Sequence, residues 1–157
     1  MYAIAVLLLM AVLPAVSIFV EYFIVHSGND LLSVVGRWFV FWAVGARLLV
    51  AGLRQTIQPQ FTAETVFAIR DPDARKIVVE LGIANLCTGI VGLASIVMPG
   101  WVAPAGLAGG LFYLLAGIQH LRNQHRNTTE NLAMLSDLGM GVLLLAWLAA
   151  YWLIGRV

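Results

Sequence analysis

Long apolar runs, separated by short polar stretches, dominate the chain. A bilayer core is crossed by about 20 apolar residues of helix. Runs of about that length cover residues 3–26, 31–53, 77–98, 102–122 and 130–154. The pattern therefore predicts an all-α fold: one domain over residues 1–157, built as an integral membrane bundle of five transmembrane helices.

The middle of the chain, Glu80–Leu121, predicts a central glycine-rich helical hairpin. Its two apolar arms meet at Met98-Pro99-Gly100-Trp101, where Pro interrupts the helical hydrogen bonds and Gly tolerates a reversal of the chain. Small residues on both arms favour close packing between the helices. They are Gly82, Gly89, Gly92, Gly106, Gly109, Gly110 and Gly117, of which Gly106 and Gly110 form a GxxxG pair.

Polar residues near the open end of this hairpin are the first candidates for a site. With equal rise per residue in both arms, Glu80 lies at the same depth as Gln119 and His120. We therefore expect Glu80 and His120, with Gln119 and Asn131, to form the mouth of a ligand-binding pocket. Asn85 is rotated by about 140° from Glu80 around the helix, so only one of these two faces the pocket.

Charged residues inside the apolar runs predict two intramembrane ion pairs. Burying a lone charge costs at least about 2.5 kcal/mol, so a partner at matching depth is expected. Glu21 and Arg37 match near one face of the membrane, and Arg47 and Asp137 match in the other half.

Two connecting segments carry further signals. Residues at about 60–70, which follow Pro59, predict an interfacial segment with Phe61 and Val66 on its apolar side. Asn127, three residues before Glu130, predicts a helix cap with the helix starting near Thr128.

Composition narrows the class of protein. The chain is 61% hydrophobic and 11% charged, with a mean hydropathy of +0.91, which excludes an ordinary soluble domain. A net charge of +1 without a basic cluster argues against nucleic acid as a partner. Cys87 is the single cysteine, and no zinc spacing, phosphate loop or nucleophile motif is present, so no metal and no cofactor are predicted, although a quinone or lipid could bind.

Basic residues predict the orientation. Six of them fall on the side of the N-terminus, whereas Arg37 and Arg156 fall on the other side. The positive-inside rule then places the N-terminus in the cytoplasm and the C-terminus outside it. The six are Arg54, Arg70, Arg75, Lys76, Arg122 and Arg126.

Four runs of this sequence resemble a family of small bacterial inner-membrane proteins known as a domain of unknown function. They are RWFVFWAVGARLLVAGLRQTIQP, ELGIANLCTGIVGLAS, GGLFYLLAGIQH and ENLAMLSDL. The pattern of Arg47, Gly52 and Pro59 is also similar to the DoxX-like membrane proteins, four-helix bundles that include a subunit linked to thiosulfate oxidation and quinone. The second resemblance covers helices two to five only, and the first helix departs from it.

Three function classes stay open. The sequence favours a binding or accessory subunit that packs against a partner or its own copy, among membrane lipids, and could hold a lipid or quinone. An oligomeric transporter would use Glu21, Arg37, Arg47 and Asp137 as its pathway. An intramembrane enzyme would use Glu80 and His120 as acid and base on an amphipathic substrate.

Overall fold

The computed structural model describes residues 2–154, and within them the chain forms helices and no strand. Five helices are long and apolar enough to cross a membrane, which confirms that part of the predicted fold. They are α1 (Tyr2–Val25), α2 (Leu31–Ile57), α3 (Ala74–Ala94), α4 (Pro99–Arg122) and α5 (Thr128–Ile154).

The ends of α2 and α3 differ from the predicted spans, because an apolar run and the hydrogen-bonded helix that contains it need not end at the same residue. α2 continues past residue 53 through polar residues to Ile57, because a helix can extend beyond the apolar run that it contains. α3 ends at Ala94, earlier than residue 98. Met98 precedes Pro99 and is not helical, with φ of −124° and ψ of 79°, because the proline ring disfavours helical dihedrals in the residue before it.

α2 lies at the centre of the packing. Val40, Val44 and Leu48 of this helix are almost fully buried, and they pack in one cluster with residues of α1, α4 and α5. Trp147 of α5 donates a hydrogen bond from Nε1 to the Leu32 carbonyl at 2.8 Å. The two helices are therefore joined at the end of the bundle opposite the N-terminus.

Wide π-helical turns interrupt α1 and α2, at Leu8–Val12, Val20–Val25 and Val40–Ala46. Such turns are found frequently at functional sites. Ala43 lies in the turn of α2, and its carbonyl accepts a hydrogen bond from the Tyr113 hydroxyl at 2.5 Å. This bond fixes α4 against α2 one turn before Arg47.

The glycines of α3 pack against α2. A β-carbon at Gly89 would lie 2.5 Å from the backbone nitrogen of Leu49, and one at Gly92 would lie 2.5 Å from that of Gly45. Real side chains do not approach so closely, so the contact between these backbones requires glycine.

The glycines of α4 face α5 and α2. A β-carbon at Gly117 would lie 2.8 Å from the backbone nitrogen of Leu138, and one at Gly109 would lie 2.4 Å from a methyl group of Val44. The small residues of the predicted hairpin therefore do not face each other. A turn makes α3 and α4 neighbours in sequence, but the direction of each small-residue face decides which helix it packs on.

The segment Phe61–Val66 forms a short helical turn against the end of the bundle. Thr62, Ala63 and Val66 are buried, so this segment packs against the protein, and its position along the membrane interface stays a prediction. The side-chain amide of Asn127 donates to the Thr65 carbonyl at 2.9 Å. The segment is thus tied to the loop between α4 and α5.

Candidate ligand cavity

A cavity of about 240 Å³ lies in the half of the bundle that contains the N-terminal end of α1. All five helices and the segment Phe61–Val66 contribute to its wall. Most of the wall is apolar, with residues such as Val6, Leu9 and Leu48. A small set of polar side chains also faces it: Tyr2, Arg47, Arg54, Gln55, Thr62, Asn85, Tyr113, Gln119, His120 and Asp137.

Arg47 is the central charge of this wall. One of its terminal nitrogens donates to the Tyr2 hydroxyl at 3.3 Å, and its guanidinium carbon lies 5.7 Å from the centre of the Tyr2 ring. Its Nε atom is buried and has no hydrogen-bond partner in the part of the chain that the structure describes. A buried donor without an acceptor is unfavourable by about 1–3 kcal/mol, and by more when it is charged.

Asp137 lines the same cavity, and its residue is only 8% exposed. No carboxylate oxygen lies within 4.0 Å of the Arg47 guanidinium among residues 2–154, so Arg47 and Asp137, which we expected near each other, do not form a salt bridge. Matching depth placed both charges at one level, but Arg47 extends towards Tyr2 of α1. The two charges line one cavity without touching.

Glu21 and Arg37 come together, at 2.9 Å between Oε1 and a terminal guanidinium nitrogen. The other carboxylate oxygen of Glu21 accepts from Nε1 of Trp38 at 2.7 Å. Ser27 and Asn29 also donate to Glu21, at 3.0 and 3.2 Å. This cluster joins α1 to α2 outside the cavity and leaves Glu21 well satisfied.

His120 lines the cavity, but it contacts Glu130, which is not one of the residues of the predicted pocket. Its Nδ1 atom lies 3.1 Å from Oε1 of Glu130, which is almost fully buried. Asn123 donates to both oxygens of Glu130, at 2.9 and 3.0 Å. Phe67 stacks on the His120 ring with 5.9 Å between the ring centres.

The predicted pocket of Glu80, Gln119, His120 and Asn131 is only partly assembled. Gln119 and His120 line the cavity, whereas Glu80 is exposed and does not. Glu80 follows the buried Val78 by two residues, which turns it by about 200° to the outer face of α3. Asn131 is exposed and accepts from Nε of Arg126 at 2.9 Å, so it holds the loop and does not line the cavity.

Two residues that line or support the cavity, Asn85 and Glu130, were not part of the pocket predicted from the sequence. Asn85 is buried on α3 and donates to Oε1 of Gln55 on α2 at 2.8 Å. The 140° rotation separated it from Glu80, but nothing in the sequence said which of the two faced inward. Glu130 was interpreted as part of a helix cap, and its backbone N–H does donate to Oδ1 of Asn127 at 2.9 Å, which confirms the cap.

The described chain is an all-helical bundle with five helices long and apolar enough to cross a membrane, packed around a largely apolar cavity, and these features suggest a membrane protein. The chain belongs to the family of unknown function DUF6790, whose family model matches residues 2–154. No curated protein and no solved structure matches it. The predicted membership of a family of unknown function is confirmed, and the likeness to DoxX-like proteins and the bacterial origin stay predictions.

Proposed function

We propose that this protein is a membrane-embedded binding protein or accessory subunit that holds an amphipathic small molecule, such as a lipid or quinone, in the cavity around Arg47. The observation that carries the proposal is the cavity itself. It is apolar over most of its wall, and its polar side chains include the charged Arg47, which donates a hydrogen bond to the neutral Tyr2 hydroxyl and has no carboxylate partner among residues 2–154. Binding sites for small molecules typically combine these two properties.

The wall suits a ligand with an apolar chain and one polar head. Leu9, Val50 and Phe112 provide surface for the chain, and Arg47 is a polar lining residue that could donate to a head group. The segment Phe61–Val66 and Phe67 cover the end of the cavity nearest the helix termini.

Binding is better supported than catalysis by the predicted pair. Glu80 and His120 do not share a site, because Glu80 lies on the outer face of α3 and His120 contacts Glu130. Residues 2–154 also contain no group of three His, Cys, Asp or Glu side chains that could together bind a metal ion. The cavity therefore supports retention of a ligand as the primary role.

The proposed location is the inner membrane of a bacterium, with the cavity in the cytoplasmic half. The basic residues Arg54, Arg75 and Arg126 lie at the cavity end of the bundle, and the positive-inside rule favours that end as cytoplasmic. Single cysteines at Val97 and His125, introduced into a Cys87→Ser background, test this orientation. In spheroplasts an impermeant maleimide should label Val97→Cys at once and His125→Cys only after permeabilisation. Labelling in the reverse order would show that the protein has the opposite orientation in the membrane.

A cavity-filling substitution tests the binding function. Native mass spectrometry of the protein purified in mild nonionic detergent should show a retained amphiphile. Ala116→Phe and Ala51→Phe place a ring in the cavity wall and should each abolish that adduct, whereas Ala84→Phe, on the exposed face of α3, should retain it. Equal adducts in all three folded variants would contradict the proposal.

A further inference from the structure

We propose that the ligand of this cavity is an anionic amphiphile, with a carboxylate or phosphate head that Arg47 binds and Arg54 attracts at the mouth. This inference rests on the proposed binding function and adds the chemistry of the head group. Three observations lead to it: the contact of Arg47 with a neutral hydroxyl and with no carboxylate among residues 2–154, the position of Arg54, and the balance of charges around the cavity.

Arg47 has hydrogen-bond donors that a ligand can reach. It carries five N–H donors, and the acceptor that the structure gives it among residues 2–154 is the hydroxyl of Tyr2, a neutral group. Its Nε atom is enclosed by protein, but the side chain is partly exposed and lines the cavity. An oxygen on a molecule inside the cavity would therefore find its donors on the terminal nitrogens of Arg47.

Arg54 adds a second positive charge on the same side of α2. Seven residues separate it from Arg47, which is nearly two helical turns, so both side chains leave the helix in almost the same direction about 10 Å apart. The Arg54 guanidinium lies over the Phe61 ring, 3.5 Å from its centre, and has no carboxylate partner among residues 2–154. Arg54 is exposed, so it stands at the mouth of the cavity while Arg47 lies inside.

The charges of the lining do not balance. Arg47 and Arg54 are permanently cationic, and Asp137 is the only carboxylate in the lining of the described chain. The carboxylate of Glu130 lies outside that lining, where it contacts His120 and Asn123. The cavity thus has one more permanent cation than carboxylates, and a head group with one negative charge would neutralise it.

A neutral head would satisfy less of this site. A quinone carbonyl or an ester could accept a hydrogen bond from Arg47, but would leave the excess positive charge in an apolar environment. A carboxylate or phosphate supplies both the acceptor and the charge, and its planar or multiple oxygens suit the fork of a guanidinium. Arg47 would bind the head and Arg54 would attract it at the mouth.

Competition between matched probes tests the inference. Oleate is compared with methyl oleate, and dioleoyl phosphatidic acid with dioleoylglycerol, each pair mixed in equal amounts with the protein in nonionic detergent and resolved by native mass spectrometry. One charged hydrogen bond corresponds to a preference of about 10-fold or more for the anionic member. Preference for oleate alone identifies a free fatty acid, and preference for phosphatidic acid alone identifies a phosphate-headed lipid; either result supports the inference.

Arginine variants show whether the preference comes from this site. Arg47→Gln should remove most of it, and Arg54→Gln, at an exposed position that should tolerate the change, should reduce it. Arg75→Gln, whose side chain lies outside the cavity lining, should leave it unchanged. Comparing each variant with wild type cancels the partition of the probes into detergent.

The outcomes separate this inference from the binding function. If methyl oleate and dioleoylglycerol both bind as well as their anionic partners in wild type, or the preference survives in both cavity arginine variants, the anionic assignment is wrong and the cavity still binds amphiphiles. If no probe binds, or binding is unchanged by Ala116→Phe and Ala51→Phe, the proposed function itself is wrong.

Discussion

The Nδ1 atom of His120, near the end of α4, lies 3.1 Å from Oε1 of Glu130, in the first turn of α5. Because Glu130 also accepts two hydrogen bonds from Asn123, one buried carboxylate joins the end of α4, the loop and the start of α5. Phe67, which covers one end of the cavity, stacks against the His120 ring. Glu130 therefore holds His120 in place, and His120 in turn supports Phe67 at that end of the cavity.

Replacing Glu130 by Ala should destabilise the protein. The change leaves the amide of Asn123 and the Nδ1 atom of His120 without their acceptor, which corresponds to a loss of about 1–3 kcal/mol. Unfolding in detergent, followed by circular dichroism against added denaturant, measures the difference. Glu80→Ala is the matched control and should change stability by less than about 0.5 kcal/mol, because Glu80 is exposed and has no partner in the described chain. Equal effects of the two substitutions would show that Glu130 does not have this role.

Substitution of Gly92 tests the close approach of α2 and α3. A methyl group at this position would lie 2.5 Å from the backbone nitrogen of Gly45, so Gly92→Ala should destabilise the bundle by about 1–3 kcal/mol. Gly139 in α5 has no atom within 4 Å of the same position, so Gly139→Ala should be neutral or stabilise by about 0.5–1 kcal/mol through better helix propensity. Thermal melts of both variants provide the comparison, and a stable Gly92→Ala protein would contradict this packing.

Loss of the Glu21 carboxylate should weaken the contact between α1 and α2 and lower the stability of the protein. Glu21→Ala leaves the charge of Arg37 without its partner, and the expected loss is about 3 kcal/mol because Glu21 is nearly buried. Glu64→Ala breaks the pair with Arg75, in which both side chains are more than 40% exposed, and should lose less than about 1 kcal/mol. Limited proteolysis near residues 26–30 should also become faster in Glu21→Ala. Similar stability losses in the two variants would indicate that the Glu21 cluster is not buried.

The cap of α2 gives a prediction about pH. Hydrogen bonds from Ser33, by its side chain and its backbone N–H, hold the pKa of Asp30 below its ordinary value of 3.8. Ionised Asp30 therefore contributes stability at every pH above 3.8, and this contribution is lost as the pH falls through the lowered pKa.

Asp30→Asn keeps a capping side chain without the titration. Its stability difference from wild type should be constant above pH 3.8 and shrink as the pH is lowered further, whereas Asp30→Ala should lose about 1 kcal/mol at neutral pH. Chemical unfolding at pH 7, 4, 3 and 2 measures both effects. A difference between wild type and Asp30→Asn that does not change down to pH 2 would contradict the role of the carboxylate.

The number of long helices could be predicted from the sequence because hydropathy reports directly on length and apolarity. The depth of charged residues followed from the rise of a helix, and it brought Glu21 to the level of Arg37. Rotation about the helix axis could not be predicted in the same way. For that reason the sequence predicts Glu80 as a pocket residue, whereas Asn85 is the one that lines the cavity. For the same reason the sequence does not show that Arg47 turns towards Tyr2.

The central glycine-rich hairpin shows the same limit. Gly89 and Gly117 marked faces for close packing, but only the structure shows that these faces meet Leu49 and Leu138 and not each other. The segment Phe61–Val66 has an apolar side that suits a membrane interface as well as a protein surface. Its contact with the loop between α4 and α5 could not be predicted, because it depends on Thr65 and Asn127, which are distant in sequence.

Photocrosslinking from inside the cavity tests the central claim most directly. Benzoylphenylalanine replaces Phe112, which lines the cavity, or Leu115, which is 62% exposed on the outer face of the same helix. After irradiation in native membranes, intact-mass analysis should show one dominant amphiphile adduct at position 112, different from the mixture of bulk lipids captured at position 115. The same mixture at both positions, or no adduct at position 112, would contradict a specific ligand in the cavity.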